Sequence, residues 1–309
     1  MRAPLDLAAL AARLPPRPRT RFAPAPTGAL HLGHVVNAIY VWGLARALGG
    51  EVVLRVEDHD RQRCRPAFER GLLDDLDWLG FEPDHYPTHA FRAGACEGRQ
   101  QDREGVYREA VGRLVADGLI YGCTCTRKQI EEAGGTDTTE LRYPGTCRAA
   151  GHPLDEGVGW RLRLDDRLVR FEDGRLGAQA QAPAAQCGDV LVRDRLGNWT
   201  YQFAVAVDDM AQDVALVVRG MDLLPSTGRQ ILMAELLGRH VPAVFVHHPL
   251  VMKSPSAKLS KSDGDTGVTD LRQQGWTPAA VIGAAAARVG LLSAPRALAA
   301  RDVSTLFSA

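Results

Sequence analysis

RFAPAPTGALHLGH, residues 21–34, joins a short extended run to the start of a helix. Two prolines break the extended run, and helical spacing begins at His31. A helix N-terminus binds phosphate through its free N–H groups and its dipole. Gly33 allows a flat ring or a phosphate to approach the backbone, and His31 and His34 can donate hydrogen bonds to a phosphoryl group during its transfer. An isolated H-x-G-H is more often a tight turn with surface histidines, so this interpretation needs support from other motifs.

The residues that follow predict an α/β fold. Apolar residues recur at helical spacing from Val35 to Leu44, Gly49 and Gly50 end the helix, and EVVLRVE at 51–57 is typical of a strand. The order strand, loop, helix, strand is half of a doubly wound sheet. The sequence predicts further helices over 68–79, 101–118 and 227–237, further strands over 190–193, 201–207, 214–218 and 244–251, and a short helical tail from 263 onward.

Composition is ordinary for a soluble globular protein. The 309 residues are 45% hydrophobic and 24% charged, with a formal net charge of zero. No apolar run reaches the length of a membrane span, and the N-terminus lacks the features of a signal peptide, so we expect a cytoplasmic protein with no membrane partner. A neutral chain can bind nucleic acid only through a local basic patch, so composition neither supports nor excludes RNA.

Lys258-Leu259-Ser260-Lys261-Ser262 forms a second motif, in a polar loop just after a predicted strand. Two lysines around small hydroxyl residues can clamp a polyphosphate and neutralise charge as pyrophosphate leaves. On its own, such a segment is commonly a solvated basic loop.

Clustered cysteines form the third motif. Cys123, Cys125 and Cys147 lie within 25 residues, which favours a metal site over disulfides in a chain of this kind. Thiolates bind zinc tetrahedrally, and four ligands close a structural site. Spacing leaves the fourth ligand open between Tyr143, His152 and a carboxylate, and three buried or free thiols remain the alternative. The other three cysteines are expected to be ordinary thiols.

Taken together, the first two motifs resemble the signature motifs of class I aminoacyl-tRNA synthetases, in the right order and more than 220 residues apart. RFAPAPTGALHLGH, RVEDHDR at 55–61, WTYQFAVAVDD at 199–209 and VRGMDLL at 218–224 resemble the glutamyl-tRNA synthetases in particular. The resemblance covers roughly residues 20–262 and implies a Rossmann-type parallel sheet. It also implies the substrates ATP, with Mg²⁺, and L-glutamate.

The same resemblance implies roles for individual residues. Arg219 stands where the glutamate enzymes place a cation that pairs with the substrate carboxylate, and Glu57 would hold the α-amino group. An internal salt bridge is the alternative for both. The expected glutamate-binding residues are Arg21, Phe22, Ala23, Pro24, Ala25, Glu57, Tyr201 and Arg219, with backbone contacts only at the loop alanines. The expected ATP-binding residues are His31, Gly33, His34, Lys258, Ser260 and Lys261, of which His31, His34 and Lys261 are expected to be catalytic.

Cys-x-Cys followed by Tyr-x-x-x-Cys resembles the zinc site of the glutamyl-queuosine tRNA(Asp) synthetases, which implies Tyr143 as the fourth ligand. Only 47 residues follow Ser262, too few for the anticodon-binding region of full-length glutamyl-tRNA synthetases. We therefore expect transfer of glutamate to queuosine in tRNA(Asp). The expected organisation is a split catalytic domain at 20–105 and 190–262, an inserted zinc-bearing, acceptor-type subdomain at 106–189 and a helical tail at 263–309, in a monomer.

Three other functions stay open at this point. The chain could be a truncated glutamyl-tRNA synthetase that charges a tRNA 3′ end, an inactive paralogue that binds RNA, or an unrelated nucleotidyltransferase. The motifs show no obvious general base for the transfer step. Arg99, Arg103 and Arg108 are basic candidates for contacting an anticodon stem-loop, although a solvated helix face would explain them equally well.

Overall fold

Eleven helices and eleven strands alternate along the described part of the chain. The structure is a computed structural model that describes residues 5–60, 62–134, 140–254, 257–258 and 267–307. The helices are α1 Leu7–Ala11, α2 Leu32–Ala47, α3 Pro66–Leu79, α4 Thr88–Ala93, α5 Glu104–Ala116, α6 Arg127–Gly134, α7 Pro183–Cys187, α8 Tyr201–Ala211, α9 Thr227–Leu236, α10 Val268–Gln273 and α11 Pro278–Arg288. The strands are β1 Arg19–Phe22, β2 Glu51–Leu54, β3 Ile120–Cys123, β4 Gly159–Leu162, β5 Val169–Asp173, β6 Gly177–Gln181, β7 Val190–Arg193, β8 Leu216–Gly220, β9 Val244–His248, β10 Met252–Ser254 and β11 Ala257–Lys258.

Parallel strands form the centre of the molecule. β1 pairs with β2, and β8 pairs with β9, both in parallel. A parallel bridge from Arg19 to Val214, just before β8, connects the two pairs. β5 joins β9 in parallel through Asp173, and β6 pairs antiparallel with β5 at the edge. The carboxyl ends of parallel strands lie at one edge, which is where ligands bind in open α/β sheets.

α2 runs through the core behind this edge. It is apolar around most of its circumference, and ten of its sixteen residues are buried. Such a helix is stable only when it is covered on every side. The C-terminal segment supplies part of the cover: α11 and a 3₁₀ helix at Ala300–Leu306 pack on α2. A Cβ at Gly43 would lie 2.2 Å from the ring of Phe307, so glycine is required for this close packing.

A second, antiparallel sheet lies in the middle of the chain. β4 pairs with β3 on one side and with β7 on the other. β7 therefore hydrogen-bonds with the predicted insertion, although it follows residue 189. β5 and β6 belong to 106–189 by position but extend the central sheet. Side chains from both sheets share one hydrophobic cluster, which includes Leu162, Phe203 and Val217.

Most of the predicted elements are confirmed, and one is wrong. Residues 201–207 are not a strand, because Tyr201–Ala211 forms α8. The apolar run from Phe203 to Val207 is buried on all sides, so it lacks the alternation that separates a helix from a strand. The helices predicted over 68–79 and 227–237 and the strand over 190–193 lie within two residues of their observed bounds. None of the described helices is long and apolar enough to cross a membrane.

Candidate active site

The two histidines of the first motif cap α2 reciprocally. The Nδ1 atom of His31 accepts a hydrogen bond from the Gly33 backbone N–H at 3.0 Å, and Nδ1 of His34 accepts one from the His31 N–H at 3.1 Å. The ring centroids are 4.0 Å apart. A neutral imidazole that accepts through Nδ1 carries its proton on Nε2. Each ring can therefore donate from Nε2 to an anionic oxygen at the start of the helix.

Gly33 is required by the His31 ring. A Cβ at this position would lie 2.8 Å from Cε1 and 3.0 Å from Nδ1 of His31. Distances this short are not tolerated, so any side chain at position 33 would displace the ring. Within the described residues, the immediate reason for this glycine is the packing of His31.

The lysine motif is only partly described. Ser260 and Lys261 lie outside the described residues, and Lys258 is described only as the backbone end of β11, which pairs antiparallel with β10. The chain is described again at Gly267, which forms an antiparallel bridge with His31. The Val268 N–H then donates to the carbonyl of Leu30 at 2.8 Å. The segment that follows the motif thus lies against the histidine turn.

Backbone hydrogen bonds hold the proline-rich loop against the residues that follow β2. The Arg55 N–H donates to the Phe22 carbonyl at 2.9 Å, and the Glu57 N–H donates to the Pro24 carbonyl at 3.1 Å. The Phe22 side chain is buried in the core against Trp42, with ring centroids 5.3 Å apart. The loop therefore presents backbone and the small side chains of Ala23 and Ala25 beside the carboxyl end of the sheet.

Four side chains predicted to bind glutamate lie together. Arg21 comes from β1, Glu57 from the segment after β2, Tyr201 from the start of α8 and Arg219 from β8. The pKa of Tyr201 is raised by burial and by the Glu57 carboxylate, while Arg219 and Arg21 act in the opposite direction. All three charges therefore act on the same phenol. Residues almost 200 positions apart in sequence meet at this edge of the sheet.

Two residues that the sequence analysis did not assign, Arg55 and Asp209, join this group. The Asp209 carboxylate accepts from Arg21 Nε at 3.2 Å and from Arg55 Nη2 at 2.7 Å. Arg55 also donates to Glu57 at 3.4 Å. Burial raises the pKa of Glu57, and Arg55 and Arg21 oppose the rise. A charge inside an apolar run, as at Asp209 in α8, is the sequence signal that could have identified the network.

Arg219 has no anionic partner among the described residues, although only 2% of it is exposed. It donates to His247 Nε2 at 3.0 Å, to Gln230 Oε1 at 2.5 Å and to Thr227 Oγ1 at 2.8 Å. All three acceptors are on side chains without a formal charge, since burial lowers the pKa of His247 below its ordinary value. The alternative of an internal salt bridge holds for Glu57, which pairs with Arg55 at 3.4 Å, but among the described residues Arg219 forms none.

The charges of this group favour an anionic ligand. Asp209 pairs with Arg21 and Arg55, and oxygens of Glu57 and Asp208 also lie 3.4 and 3.9 Å from Arg55. The buried Arg219 forms no ion pair with a described residue. Burial lowers the pKa of Arg219, because the charged form loses its hydration there. An uncompensated buried cation is costly, and a ligand carboxylate would remove that cost. Arg219 can therefore select a carboxylate over a neutral amide.

Two of the three arginines suggested for RNA contact have structural roles instead. Arg103 is buried and donates to Asp208 at 2.7 Å, within a network that includes Tyr107 and Gln100. Arg99 is also buried and pairs with Glu69. Neither guanidinium can therefore reach an RNA backbone without leaving the core. Arg108 is exposed and pairs with Glu104 at 2.8 Å on the surface of α5.

The three clustered cysteines converge after β3. The Sγ atoms of Cys123, Cys125 and Cys147 all lie within 4.8 Å of one another, and the Cys125 and Cys147 sulfurs are 3.5 Å apart. Tetrahedral zinc with a Zn–S distance of about 2.3 Å requires sulfurs about 3.8 Å apart. The Tyr143 hydroxyl lies 3.4 Å from the Cys123 sulfur. No histidine or carboxylate of the described residues belongs to this group, so Tyr143 is the ligand that the geometry offers to complete the set.

Hydrogen bonds favour the anionic form of one of these thiols. Burial acts against the thiolate of Cys147, but donors from Thr124, Cys125 and Tyr143 hold its pKa at about 6. The Arg161 guanidinium lies over the Tyr143 ring at 3.6 Å from its centroid. A cleft of about 270 Å³ begins beside Tyr143 and Arg161 and extends to Tyr201. The cleft therefore lies between Tyr143, next to the cysteine cluster, and Tyr201, one of the side chains predicted to bind glutamate.

Comparison with known proteins agrees with this geometry. The family model described as tRNA synthetases class I (E and Q), catalytic domain, matches residues 18–302. The chain is 42% identical over 279 residues to a Glutamyl-Q tRNA(Asp) synthetase of Burkholderia cenocepacia, with 88% of each chain covered. It is 38% identical over 299 residues to one of Symbiobacterium thermophilum, covering 93% of this chain and 91% of the relative. A Glutamate--tRNA ligase 2 of Syntrophus aciditrophicus is 36% identical, with 56% of the relative covered.

Solved structures show the same fold. A glutamate tRNA ligase from Elizabethkingia meningosepticum, in complex with its amino acid, superposes with a TM-score of 0.73 at 27% identity and covers 87% of this chain and 60% of that one. The glutamate-tRNA synthetase of Elizabethkingia anophelis gives a TM-score of 0.75 at 25% identity, with 93% of this chain and 65% of that one covered. The catalytic fold with mixed α/β sheets, the family model and the curated relatives agree: this chain belongs to the class I tRNA synthetases of the glutamate and glutamine type.

Proposed function

We propose that this protein activates L-glutamate with ATP and transfers it to queuosine in the anticodon of tRNA(Asp). The observation that carries the amino-acid assignment is Arg219, a buried cation whose described partners are all neutral. The assignment of queuosine as the acceptor is supported by relatives named Glutamyl-Q tRNA(Asp) synthetase, at 38–42% identity over 88% or more of this chain. The glutamate–tRNA ligase relative shares a lower 36% identity.

Glutamate would bind by its charges. Its γ-carboxylate pairs with Arg219 and Arg21, its α-amino group with Glu57, and Tyr201 contacts its side chain. The backbone of the loop at Phe22, Ala23, Pro24 and Ala25 lines the pocket. Glutamine would leave the guanidinium of Arg219 without an anion, and a site built around a buried charge rejects such an analogue strongly.

In the first step, an oxygen of the glutamate α-carboxylate attacks the α-phosphorus of ATP. A P–O bond forms, the bond to the bridging oxygen breaks, and pyrophosphate leaves with the electron pair. His31 and His34 would donate from Nε2 to phosphate oxygens at the N-terminus of α2. Lys261 and Mg²⁺ would neutralise the phosphate charge, and Gly33, Lys258 and Ser260 would complete the ATP site.

In the second step, a hydroxyl of the queuosine cyclopentenediol attacks the carbonyl carbon of glutamyl-adenylate. The new C–O bond replaces the bond to AMP, which leaves as the phosphate monoester, and the hydroxyl proton is released. We assign the acceptor nucleoside to the cleft between Tyr143 and Tyr201, because Tyr201, one of the side chains expected to bind glutamate, lines this cleft. Positioning and electrostatics supply the catalysis of this step.

Cys123, Cys125, Tyr143 and Cys147 would hold a structural zinc ion. The three sulfurs lie within 4.8 Å of one another and the Tyr143 hydroxyl lies 3.4 Å from the Cys123 sulfur, and a closed four-ligand site would contribute folding free energy rather than chemistry. The ion would fix one wall of the cleft. The division into 20–105 with 190–262, an insertion at 106–189 and a tail at 263–309 stays a prediction, as does the monomeric state.

The test is transfer of labelled glutamate to purified tRNA(Asp) with and without queuosine. We expect labelling that requires queuosine, is lost when periodate has cleaved the queuosine cis-diol, and persists after the 3′-terminal nucleotide has been removed. Labelling of tRNA(Glu) at its 3′ end, without queuosine, would instead identify a minimal glutamyl-tRNA synthetase. Absence of both labelling and glutamate-dependent ATP–pyrophosphate exchange would identify an inactive paralogue.

A further inference from the structure

A buried chain of three side chains crosses the ends of three adjacent strands. Asp173 ends β5, His247 lies at the same register as Arg219 on the paired strands β9 and β8, and all three are at most 2% exposed. Asp173 Oδ2 lies 2.6 Å from His247 Nδ1, and His247 Nε2 lies 3.0 Å from Arg219 Nε. Neither Asp173 nor His247 belongs to one of the sequence motifs.

The hydrogen-bond partners determine the tautomer of His247. Arg219 can only donate, so His247 Nε2 must accept and its proton must be on Nδ1, where it is donated to Asp173. The Thr227 hydroxyl, 3.3 Å from the same Nε2, agrees with this direction. The hydrogen bonds therefore connect the Arg219 cation, the neutral His247 ring and the Asp173 carboxylate. Each hydrogen bond fixes the orientation of the side chain that it joins.

Asp173 is itself oriented by the backbone. Its Oδ1 atom accepts from the N–H groups of Arg175 at 3.0 Å and Leu176 at 2.9 Å. Oδ1 is also 3.5 Å from the backbone N–H of His247, and Oδ2 is directed at the His247 ring. An asparagine at this position would keep its single oxygen on the two backbone donors and would direct its NH₂ group at His247 Nδ1. The ring would have to move its proton to Nε2, where it would oppose the Arg219 donor.

We infer that Asp173 and His247 are positioning residues that orient Arg219 toward the substrate carboxylate and thereby contribute to selection of glutamate over glutamine. The inference rests on the proposed role of Arg219 in binding glutamate. It goes beyond that role because the specificity would depend on two residues that contact no substrate. The Asp173 carboxylate also supplies a negative charge, one ring away, that stabilises the buried guanidinium in the empty site.

Two substitutions of His247 distinguish an effect on the orientation of Arg219 from an effect on folding. His247→Gln places an amide oxygen near the position of Nε2, so it keeps an acceptor for Arg219 and loses the contact with Asp173. His247→Asn keeps a donor near Nδ1 for Asp173 and removes the acceptor. Asp173→Asn keeps the size and shape of the side chain, replaces one oxygen with an NH₂ group and reverses the tautomer of His247. His248→Gln is the matched control, because this neighbouring buried histidine ends β9 without contacting Arg219.

The measurement is isothermal titration of the full chain with L-glutamate, with L-glutamine and with ATP, together with the thermal midpoint of each variant. We expect Asp173→Asn and His247→Asn to raise the Kd for glutamate roughly 10- to 100-fold, the range of a hydrogen bond to a charged group. His247→Gln should raise it less than about fivefold. The preference for glutamate over glutamine, measured as the ratio of the two Kd values, should decrease in the first two variants. The Kd for ATP should stay within about twofold of the parent value in all of them.

Results that contradict this inference can be distinguished from results that contradict the proposed function. Equal losses for glutamate and ATP, in step with a lowered thermal midpoint, would show a purely structural role and overturn the inference. So would an unchanged Kd for glutamate, or a loss in His248→Gln as large as in His247→Asn. A parent protein that does not bind glutamate would overturn both this inference and the role of Arg219. Glutamate binding without transfer to queuosine would overturn only the proposed acceptor.

Discussion

Substitution of Arg219 by glutamine tests the centre of the proposed function. The change replaces the cation with a neutral, polar amide. It leaves the other charged groups of the site in place. A carboxylate paired with a 2% exposed guanidinium is a fully buried ion pair. Removal of one partner from such a pair costs about 3–5 kcal/mol, which corresponds to a rise in the Kd for glutamate of roughly 150- to 5,000-fold.

Stability should respond differently from binding. In the empty protein, the glutamine variant relieves the desolvation cost of the Arg219 cation, while it leaves His247, Gln230 and Thr227 each short of a donor. These effects oppose each other, so we expect the thermal midpoint without ligand to change by no more than a few degrees. Arg219→Lys keeps the charge but cannot reach all three acceptors, and it should lose an intermediate amount of affinity.

The assay is isothermal titration with glutamate and with glutamine, supported by glutamate-dependent ATP–pyrophosphate exchange. Affinity for glutamine should change much less than affinity for glutamate, because the amide never formed the ion pair. A loss of glutamate affinity below about tenfold in a folded Arg219→Gln protein would rule out a buried ion pair between Arg219 and glutamate, since it falls well short of the cost of breaking such a pair. An equal loss for both ligands would also refute it, because the site would then not distinguish charge.

Three further predictions follow from single contacts. Gly33→Ala should reduce kcat for adenylate formation at least about tenfold with a smaller change in the KM for glutamate, since the new Cβ displaces the His31 ring; steady-state exchange kinetics measure this. Tyr143→Phe should weaken zinc binding about 10- to 100-fold while three thiols remain, as measured by competition with a chromophoric chelator. Burial raises the pKa of Asp75 to about 6, above its ordinary 3.8, so the folded state holds a proton that the unfolded state loses between these values, and stability falls as pH rises through 6. Asp75→Asn should therefore raise the free energy of unfolding by about 1 kcal/mol at pH 7, allowing for solvent screening, and by less at pH 5, as measured by urea denaturation.

Each of these has an outcome that contradicts it. Unchanged kcat in Gly33→Ala would show that the His31 ring is not needed in its observed place. Full zinc affinity in Tyr143→Phe would assign the fourth ligand elsewhere. A stability gain in Asp75→Asn that is the same at pH 5 and pH 7 would remove titration as its cause, leaving the hydrogen bond from Thr269 at 2.9 Å as the contact that the substitution alters.

The sequence predicted the parts of the fold that depend on local patterns. α2 follows from apolar spacing that ends at Gly49, which has φ +65°, a conformation that glycine adopts without strain. β7 follows from its β-branched residues. α8 could not be assigned in the same way, because helix and strand patterns coincide in a run where every position is buried. There, packing against the neighbouring strands decided the conformation.

Motifs predicted the residues of the candidate site better than they predicted the buried side chains that hold those residues in position. Arg21, Glu57, Tyr201 and Arg219 were assigned from a family resemblance, and the structure brings their side chains close together. Arg55, Asp209 and Asp173 were not assigned, because the bond between Arg55 and Asp209 spans 154 positions and the one between Asp173 and His247 spans 74. A lone buried acid or base is visible in a sequence only as a charge in an apolar run, and its partner is supplied by the fold.

The two arginines expected to contact the substrate carboxylate are held in different electrostatic states, which gives them different roles. The charge of Arg21 is compensated in the empty site, since Asp209 lies 3.2 Å from its Nε atom. Arg219 donates hydrogen bonds to the neutral side chains of His247, Gln230 and Thr227 and forms no ion pair with a described residue. Arg21 can therefore shape the pocket at little electrostatic cost, whereas Arg219 gains most when a carboxylate arrives. Such a site is preorganised, because the guanidinium is already oriented before the ligand binds. The ligand carboxylate can then pair with it without rearrangement of the protein. Selection of an acid over its amide should then depend on how firmly the guanidinium is oriented, and not only on its presence.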